Sequence, residues 1–260
     1  MKLPSVAGAP VLDSSFPVSE ATTACRAVTT ITAEIAVSGT IAGRRLRARL
    51  LAGLAPPASA RLEAVAPAGQ PLFVLVTTGT DATVLLPREG RVLEHGRPEE
   101  VIRAIAAVPV DAADLRVALT GCAVAPDVLN GRQVGRDWRV VPDGDRDLYL
   151  HRADPGGRWR IASVVHLRTG RAGEDWRVEY RDFEHDLPRT IRVADGSSNR
   201  FDLRLALSQV EINTPLSRDV FEIRVPADAA RITLRELEED GPLGPRAGTA
   251  TREGARRPAR

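Results

Sequence analysis

The stretch ITAEIAVSGTIAGRRLRARL, Ile31–Leu50, decides the fold class. Ile31, Ala33, Ile35 and Val37 alternate with Thr30, Thr32, Glu34 and Ala36, which is the pattern of a half-buried strand. Leu46, Ala48 and Leu50 alternate with Arg45, Arg47 and Arg49, and Ala42-Gly43 is the turn between the two strands. A period of two puts one face of this hairpin against a core and the other toward water.

The same period extends in both directions. Strands are predicted at Arg61–Ala66, Leu72–Thr77 and Ala82–Leu86, with a short one near Arg91–Leu93. Pro56-Pro57, Pro67-Ala68-Gly69 and Gly79-Thr80-Asp81 mark the turns. After Asn130-Gly131, strands are predicted around Trp138–Val141, Leu148–His151, Trp159–Leu167, Trp176–Tyr180, Thr190–Val193, Arg200–Val210 and Phe221–Val225. In the long strand the apolar register shifts from Phe201, Leu203, Leu205 and Leu207 to Val210 and Ile212, which predicts a bulge near Ser208-Gln209.

Between the two strand-rich halves the period changes. Pro98 opens a helix, Glu99 and Glu100 complement its positive end, and Val101, Ile102, Ile105 and Val108 form one stripe. Pro109 ends it. A second helix, Asp111–Leu119, has Asp111 as cap, Val110 and Leu115 as staple, Leu115 and Leu119 on one face, and Gly121 at its close. The economical architecture is mainly β with an α insertion: one curved antiparallel sheet and two short helices.

The ends differ from the middle. Residues 1–25 read as an extended leader, residues 26–240 as one domain, and residues 241–260 as a disordered basic tail. The tail holds Arg246, Arg252, Arg256, Arg257 and Arg260 against Glu253, a net +4, so the rest of the chain carries −2. Its two readings are contact with an anionic surface and a solvated tail without function, the second being simpler. No stretch approaches the roughly 20 apolar residues of a membrane span, and no charged-then-apolar signal peptide opens the chain.

Catalytic signatures are missing from this sequence. His95, His151, His166 and His185 lie in four separate elements and read as solvated residues, not as ligands. Asp143, Asp145 and Asp147 imitate a calcium loop, but its sixth position is Leu148 and its twelfth Asp154, so a charged hairpin turn is expected. Alternation puts Trp176, Val178 and Tyr180 on one face and Glu179 and Arg181 on the opposite, solvated one. There is no G-x-S-x-G elbow around Ser163 and no phosphate-binding glycine loop, and Lys2 is the only lysine. Cys25 and Cys122 would form one disulfide in an exported protein and stand as two unrelated buried thiols in a cytosolic one. No enzyme, metal, cofactor or nucleic-acid partner is expected.

Three segments resemble a known family. They are Arg61–Leu75 (RLEAVAPAGQPLFVL), Pro98–Gly121 (PEEVIRAIAAVPVDAADLRVALTG) and Trp176–Phe201 (WRVEYRDFEHDLPRTIRVADGSSNRF). In order and content they resemble the LolB-like outer-membrane lipoprotein receptors of the LolA/LolB lipoprotein-localisation superfamily, over roughly residues 26–225. The resemblance implies an incomplete, strongly curved antiparallel barrel with the short helices as a lid. It implies an apolar cavity that binds acyl chains of lipoproteins or another lipid, a periplasmic carrier protein as partner, and a place in the periplasm or on the periplasmic face of the outer membrane. Anionic membrane contact would fall to the C-terminal tail.

Ile35, Val37, Leu46, Leu75, Val101, Ile102, Ile105, Trp138, Trp176, Val178, Leu203 and Leu205 are the expected cavity lining, because alternation or a helical stripe puts each on an apolar face. Small residues such as Ala33, Ala48 and Ala64 would leave the space unfilled. The alternative is an envelope interaction module of the same fold with a filled core. Two positions depart from the receptor pattern. Ala68 stands where the family's membrane-facing loop carries a protruding Leu, and Thr22-Thr23-Ala24 before Cys25 is a poor lipobox.

Overall fold

The computed structural model describes residues 3–4, 8–65, 71–106, 112–122, 130–167, 175–196 and 200–240. In chain order the elements are β1 (Ala9–Val11), α1 (Ser15–Arg26), β2 (Ile31–Ile41), β3 (Arg44–Ala55), β4 (Ser59–Val65), β5 (Pro71–Thr78), β6 (Asp81–Leu86) and β7 (Arg91–Gly96). Then come α2 (Pro98–Ala106), α3 (Ala112–Thr120), β8 (Gly131–Val134), β9 (Trp138–Asp143), β10 (Arg146–His151), β11 (Arg160–His166), β12 (Trp176–Glu184), β13 (Leu187–Asp195) and β14 (Phe201–Ile212). A 3-10 turn at Arg218–Phe221, β15 (Ala230–Arg231) and α4 (Leu234–Asp240) complete the described chain.

All fifteen strands form one curved, open sheet in the order β1-β8-β9-β10-β11-β12-β13-β14-β2-β3-β4-β5-β6-β7-β15. It consists of two meanders, β2–β7 and β8–β14, joined where β14 pairs antiparallel with β2 from Phe201↔Ile41 to Ile212↔Ile31. The register shifts between Ser208 and Glu211, where Gln209 has a positive φ of 48°, so the expected bulge is present. Asn213 latches the far end of this joint. Its amide donates to the Ala27 carbonyl (3.0 Å) and its Oδ1 accepts from the Thr29 N–H (2.8 Å).

The helices share one side of the sheet's curvature. α3 lies against β4 and β13 across the joint, α2 against β6 and α4, and α1 against β10 and β11. Gly96 is what lets α2 sit so close to β7. A Cβ there would stand 2.4 Å from Val101 Cγ2 and 2.8 Å from Leu93 Cδ2. Val101, Ile102 and Ile105 are almost fully buried, and each such side chain stabilises the packing by roughly 1.5–3 kcal/mol. The lid stripe read from the sequence is therefore the face that α2 buries.

Several expectations need correction. The leader is not wholly extended: Ser15–Arg26 is a helix that buries Pro17, Val18, Thr22 and Cys25. Pro17 falls in the first turn, where a missing N–H breaks no intrahelical bond, so it does not act as a breaker. Phe221–Val225 is not a strand. Its apolar alternation is genuine, but the segment crosses the face of β4, where the Arg61 guanidinium donates to the Val220 and Glu222 carbonyls, and so meets no strand edge. The sheet is not antiparallel throughout, since β15 adds a two-residue parallel pair to β7. Ala68, the Asp111 cap and the tail 241–260 lie outside the described residues.

Cys25 and Cys122 form a disulfide with Cα atoms 5.3 Å apart, tying the last turn of α1 to the residue beyond Gly121. The sequence separation is 97 residues, and a loop of that size is worth about 4–5 kcal/mol in chain entropy. The outer face of the sheet holds a second cross-link. Glu179, expected to be solvated, is 1% exposed. Its carboxylate accepts from Arg177 Nε (2.9 Å), Arg181 Nη2 (3.2 Å) and Arg192 Nη1 (3.5 Å). The face was correctly assigned, but three long arginine stems cover the carboxylate that they neutralise.

The double variant Cys25→Ser/Cys122→Ser is expected to lose about 4 kcal/mol of unfolding free energy in urea titrations. A loss below about 1 kcal/mol would mean that packing alone holds α1. Glu179→Gln leaves three guanidiniums facing a neutral amide and should destabilise by about 3 kcal/mol. Its denaturation midpoint, compared with that of Glu63→Gln, a half-buried carboxylate beside Arg61 on β4, checks this.

Candidate functional site

Between the helix-facing side of the sheet and the lid helices lies a cavity of about 120 Å³. Its floor comes from the joint and the strands beside it: Val37 and Ile41 on β2, Leu203 and Leu205 on β14, Ile191 and Val193 on β13, and Trp176 and Val178 on β12. Leu46, Ala48 and Leu50 on β3, Leu62 on β4, and Phe73 and Leu75 on β5 continue it. Ile102 and Ile105 of α2 and Leu115, Ala118 and Leu119 of α3 form the roof.

Every one of these residues is apolar, as strict alternation requires of strands that contribute one face each. Ala48 sits directly opposite Val37 in the β2–β3 register, so a methyl group stands where a larger side chain would meet the roof. Leu46, Ala48, Leu50, Leu205, Leu115 and Ala118 are only half-buried, whereas Leu75, Ile191, Val178 and Ile102 are nearly inaccessible. The space therefore opens along β3, β14 and α3 and is closed at its base.

Nine of the twelve residues named from the sequence converge here: Val37, Leu46, Leu75, Ile102, Ile105, Trp176, Val178, Leu203 and Leu205. Three do not. Ile35 is buried in filled core between Leu207 and Leu50, one repeat further along β2. Val101 points past the cavity to β7. Trp138 lies in β9, six strands away from β2, with its ring 4.4 Å from that of His151. Alternation gives the face of a strand but not its place in the sheet, and that place removed Trp138. Ile191 and Val193 were missed although they alternate cleanly. Leu115 and Leu119 already shared a face in the sequence and needed only the position of α3.

His166 corrects the reading of the histidines as solvated. Its ring stacks on Trp176 at 3.7 Å with 6° between planes, and Trp176 also lines the cavity. Burial, with Arg146 nearby and opposed weakly by Asp145, lowers the imidazole from the usual 6.5 to about 4. Among the described residues no group of three or more His, Cys, Asp or Glu side chains is placed to hold a metal.

No protein-family model matches the sequence, and no curated protein matches it. Solved structures do. A LolA superfamily protein from Nitrosomonas europaea aligns over 82% of this chain and 99% of its own, with a TM-score of 0.55 at 13% identity. An outer membrane lipoprotein-sorting protein domain from Vibrio parahaemolyticus aligns over 74% of this chain and 89% of its own, with a TM-score of 0.47 at 12% identity. The Mycobacterium tuberculosis lipoprotein LppX aligns over 77% of this chain and 95% of its own, with a TM-score of 0.34 at 13% identity. The first of these shows that this chain shares its fold with that LolA superfamily protein.

The stacked pair makes a pH prediction. Because the folded state resists protonation of His166, the unfolded chain binds more protons between about pH 6.5 and pH 4. Stability present at neutral pH is therefore lost as pH falls through that window. The loss is on the order of 2 kcal/mol after allowing for the solvent that still reaches the ring. His166→Phe keeps the stacking and should flatten that part of the stability–pH curve in urea melts from pH 7 to pH 4. An unchanged slope in the variant would assign the effect to other groups.

Proposed function

We propose that this protein is a non-enzymatic binder of lipid acyl chains in the bacterial envelope, acting in the transport or placement of lipoproteins. The observation that carries the reading is the cavity: uniformly apolar, open along one rim, and roofed by two short helices. The likeness to LolA superfamily structures supports it. The envelope location and the receptor role of the LolB branch rest on that likeness and on the three resembling segments.

Magnitudes define how the cavity would have to work. About 120 Å³ is the volume of roughly four waters at liquid density. Four buried methylenes contribute about 3 kcal/mol at 0.8 kcal/mol each, weaker than millimolar affinity. A useful carrier must bury more of the chain. α3 is the element to yield, because Leu115, Arg116, Val117 and Ala118 are half-buried and its C-terminal end is pinned by the disulfide beyond Gly121. Lifting its N-terminal end would extend the cavity along β3 and β14 without exposing the closed base.

The small resting volume also supports the alternative, an envelope interaction module with a filled core. Titration with a fluorescent fatty-acyl probe separates the two. Wild-type protein should bind the probe. Leu205→Asp, a half-buried lining position that can solvate its charge, should abolish binding with little loss of stability. Ala118→Trp, which fills the roof, should weaken binding at least tenfold. A wild-type protein that does not bind any acyl probe would leave only the filled-core module.

A further inference from the structure

The outer face of the same strands carries a groove of about 620 Å³, on the opposite side of the sheet from the apolar cavity. Its lining includes Ser38, Thr40, Asp182, Arg192, Asp202 and Arg204. Gly39 shapes its floor. Its φ is +145°, and a Cβ there would stand 2.0 Å from the Asp202 carbonyl oxygen, so only glycine lets β2 and β14 meet in this way.

The charges in the groove are not equivalent. Two of the three acids are already engaged, and the third, Asp182, is an exposed residue of β12. Glu179 is enclosed by its three arginines, and Asp202 takes a fork of two 2.7 Å hydrogen bonds from Arg192 Nε and Nη2. That fork holds the Asp202 carboxyl below the usual carboxylate range. Arg204 is different. It lies in register between Arg192 on β13 and Ser38 on β2, and among the described residues no carboxylate pairs with it. The Ser38 and Thr40 hydroxyls likewise make no hydrogen bond among the described residues.

One strand further on, Arg47 faces Ser38 and Arg45 faces Thr40 in the β2–β3 register, again without acidic partners among the described residues. Three unpaired guanidiniums thus gather on one patch of a chain whose first 240 residues carry a net −2. Such a concentration draws anions to the side of the groove formed by β2, β3 and β14, where the Ser38 and Thr40 hydroxyls can donate.

We propose that this groove binds a phosphate-type oxyanion, with the Arg204 guanidinium supplying a forked contact and Ser38 and Thr40 donating their hydroxyls. Arginine's planar fork matches two oxygens of such a group. The volume exceeds that of free phosphate and is in the range of small-ligand sites, so an organic phosphate such as a lipid headgroup also fits. The site does not depend on the acyl-chain reading, because the two lie on opposite faces and share no lining residue.

The test uses the full chain and two probes. Calorimetric titration with glycerol phosphate reads the soluble anion, and flotation with phosphatidylcholine vesicles, with and without phosphatidylglycerol, reads the headgroup. Arg204→Gln should weaken binding by roughly tenfold or more, the expected loss of a charge-assisted contact. Ser38→Asp, at an exposed position that places a carboxylate beside Arg204, should do the same. Arg88→Gln, an equal charge change in an exposed turn outside the groove, should leave binding unchanged.

Binding of glycerol phosphate identifies a soluble anion as sufficient. Flotation that requires phosphatidylglycerol and is lost in Arg204→Gln identifies a lipid headgroup. The proposal is overturned if wild-type protein binds neither probe, or if Arg88→Gln weakens binding as much as Arg204→Gln and Ser38→Asp do. Circular dichroism of each variant confirms that the comparison is between folded proteins.

Discussion

The pairing of β14 with β2 is the constraint on which the rest depends. It brings together residues roughly 170 positions apart and turns two separate meanders into one sheet. Without it, each meander would expose the apolar face that the other helps to bury, and α3 would have no floor against both β4 and β13. Such a long-range pairing carries a large loop-closure cost, which local hydrogen bonds cannot offset alone. The structure reinforces the joint at several points. Gly39 allows a close approach of β2 to β14, the Asn213 side chain fastens the far end to residues 27 and 29, and the Arg192–Asp202 fork links β13 to β14 beside it.

One joint carries two different surfaces because side chains alternate across a strand. Val37, Leu203 and Leu205 face the dry cavity, while Ser38, Thr40, Asp202 and Arg204, their neighbours in sequence, face the polar groove. A slip of one residue in the β14–β2 register would exchange the two sets. Register, apolar lining and charge pattern are therefore aspects of a single choice. The disulfide adds a second long-range restraint at the roof, fixing α1 relative to the end of α3. α3, one of the two helices that roof the cavity, is thus tied covalently to α1 at its C-terminal end.

Charge burial follows the same economy. A carboxylate enclosed like that of Glu179 would be costly alone, and three arginines from β12 and β13 offset the cost by neutralising it and covering it with their stems. His166 goes the other way: stacked on Trp176 and with Arg146 nearby, it remains neutral down to about pH 4. A buried charge persists where the neighbouring strand supplies a partner, and a titratable group without one gives up its proton.

The sequence alone determined the elements and their faces. Alternation at Ile31–Leu50 established strands, the stripe of Val101, Ile102 and Ile105 established the lid helix, and the shift after Leu207 located the bulge, because each is a local pattern repeated over several residues. Local pattern failed where a tertiary neighbour decided. Trp138 has the right face but lies in the wrong part of the sheet, Glu179 the right face but the wrong solvation, and Phe221–Val225 the right alternation but no edge to join. The order of the strands, the space left between sheet and roof, and the partnering of each charge arise only when residues far apart in the chain meet. A one-dimensional period records which way a side chain points, and only the closed structure decides what it points at.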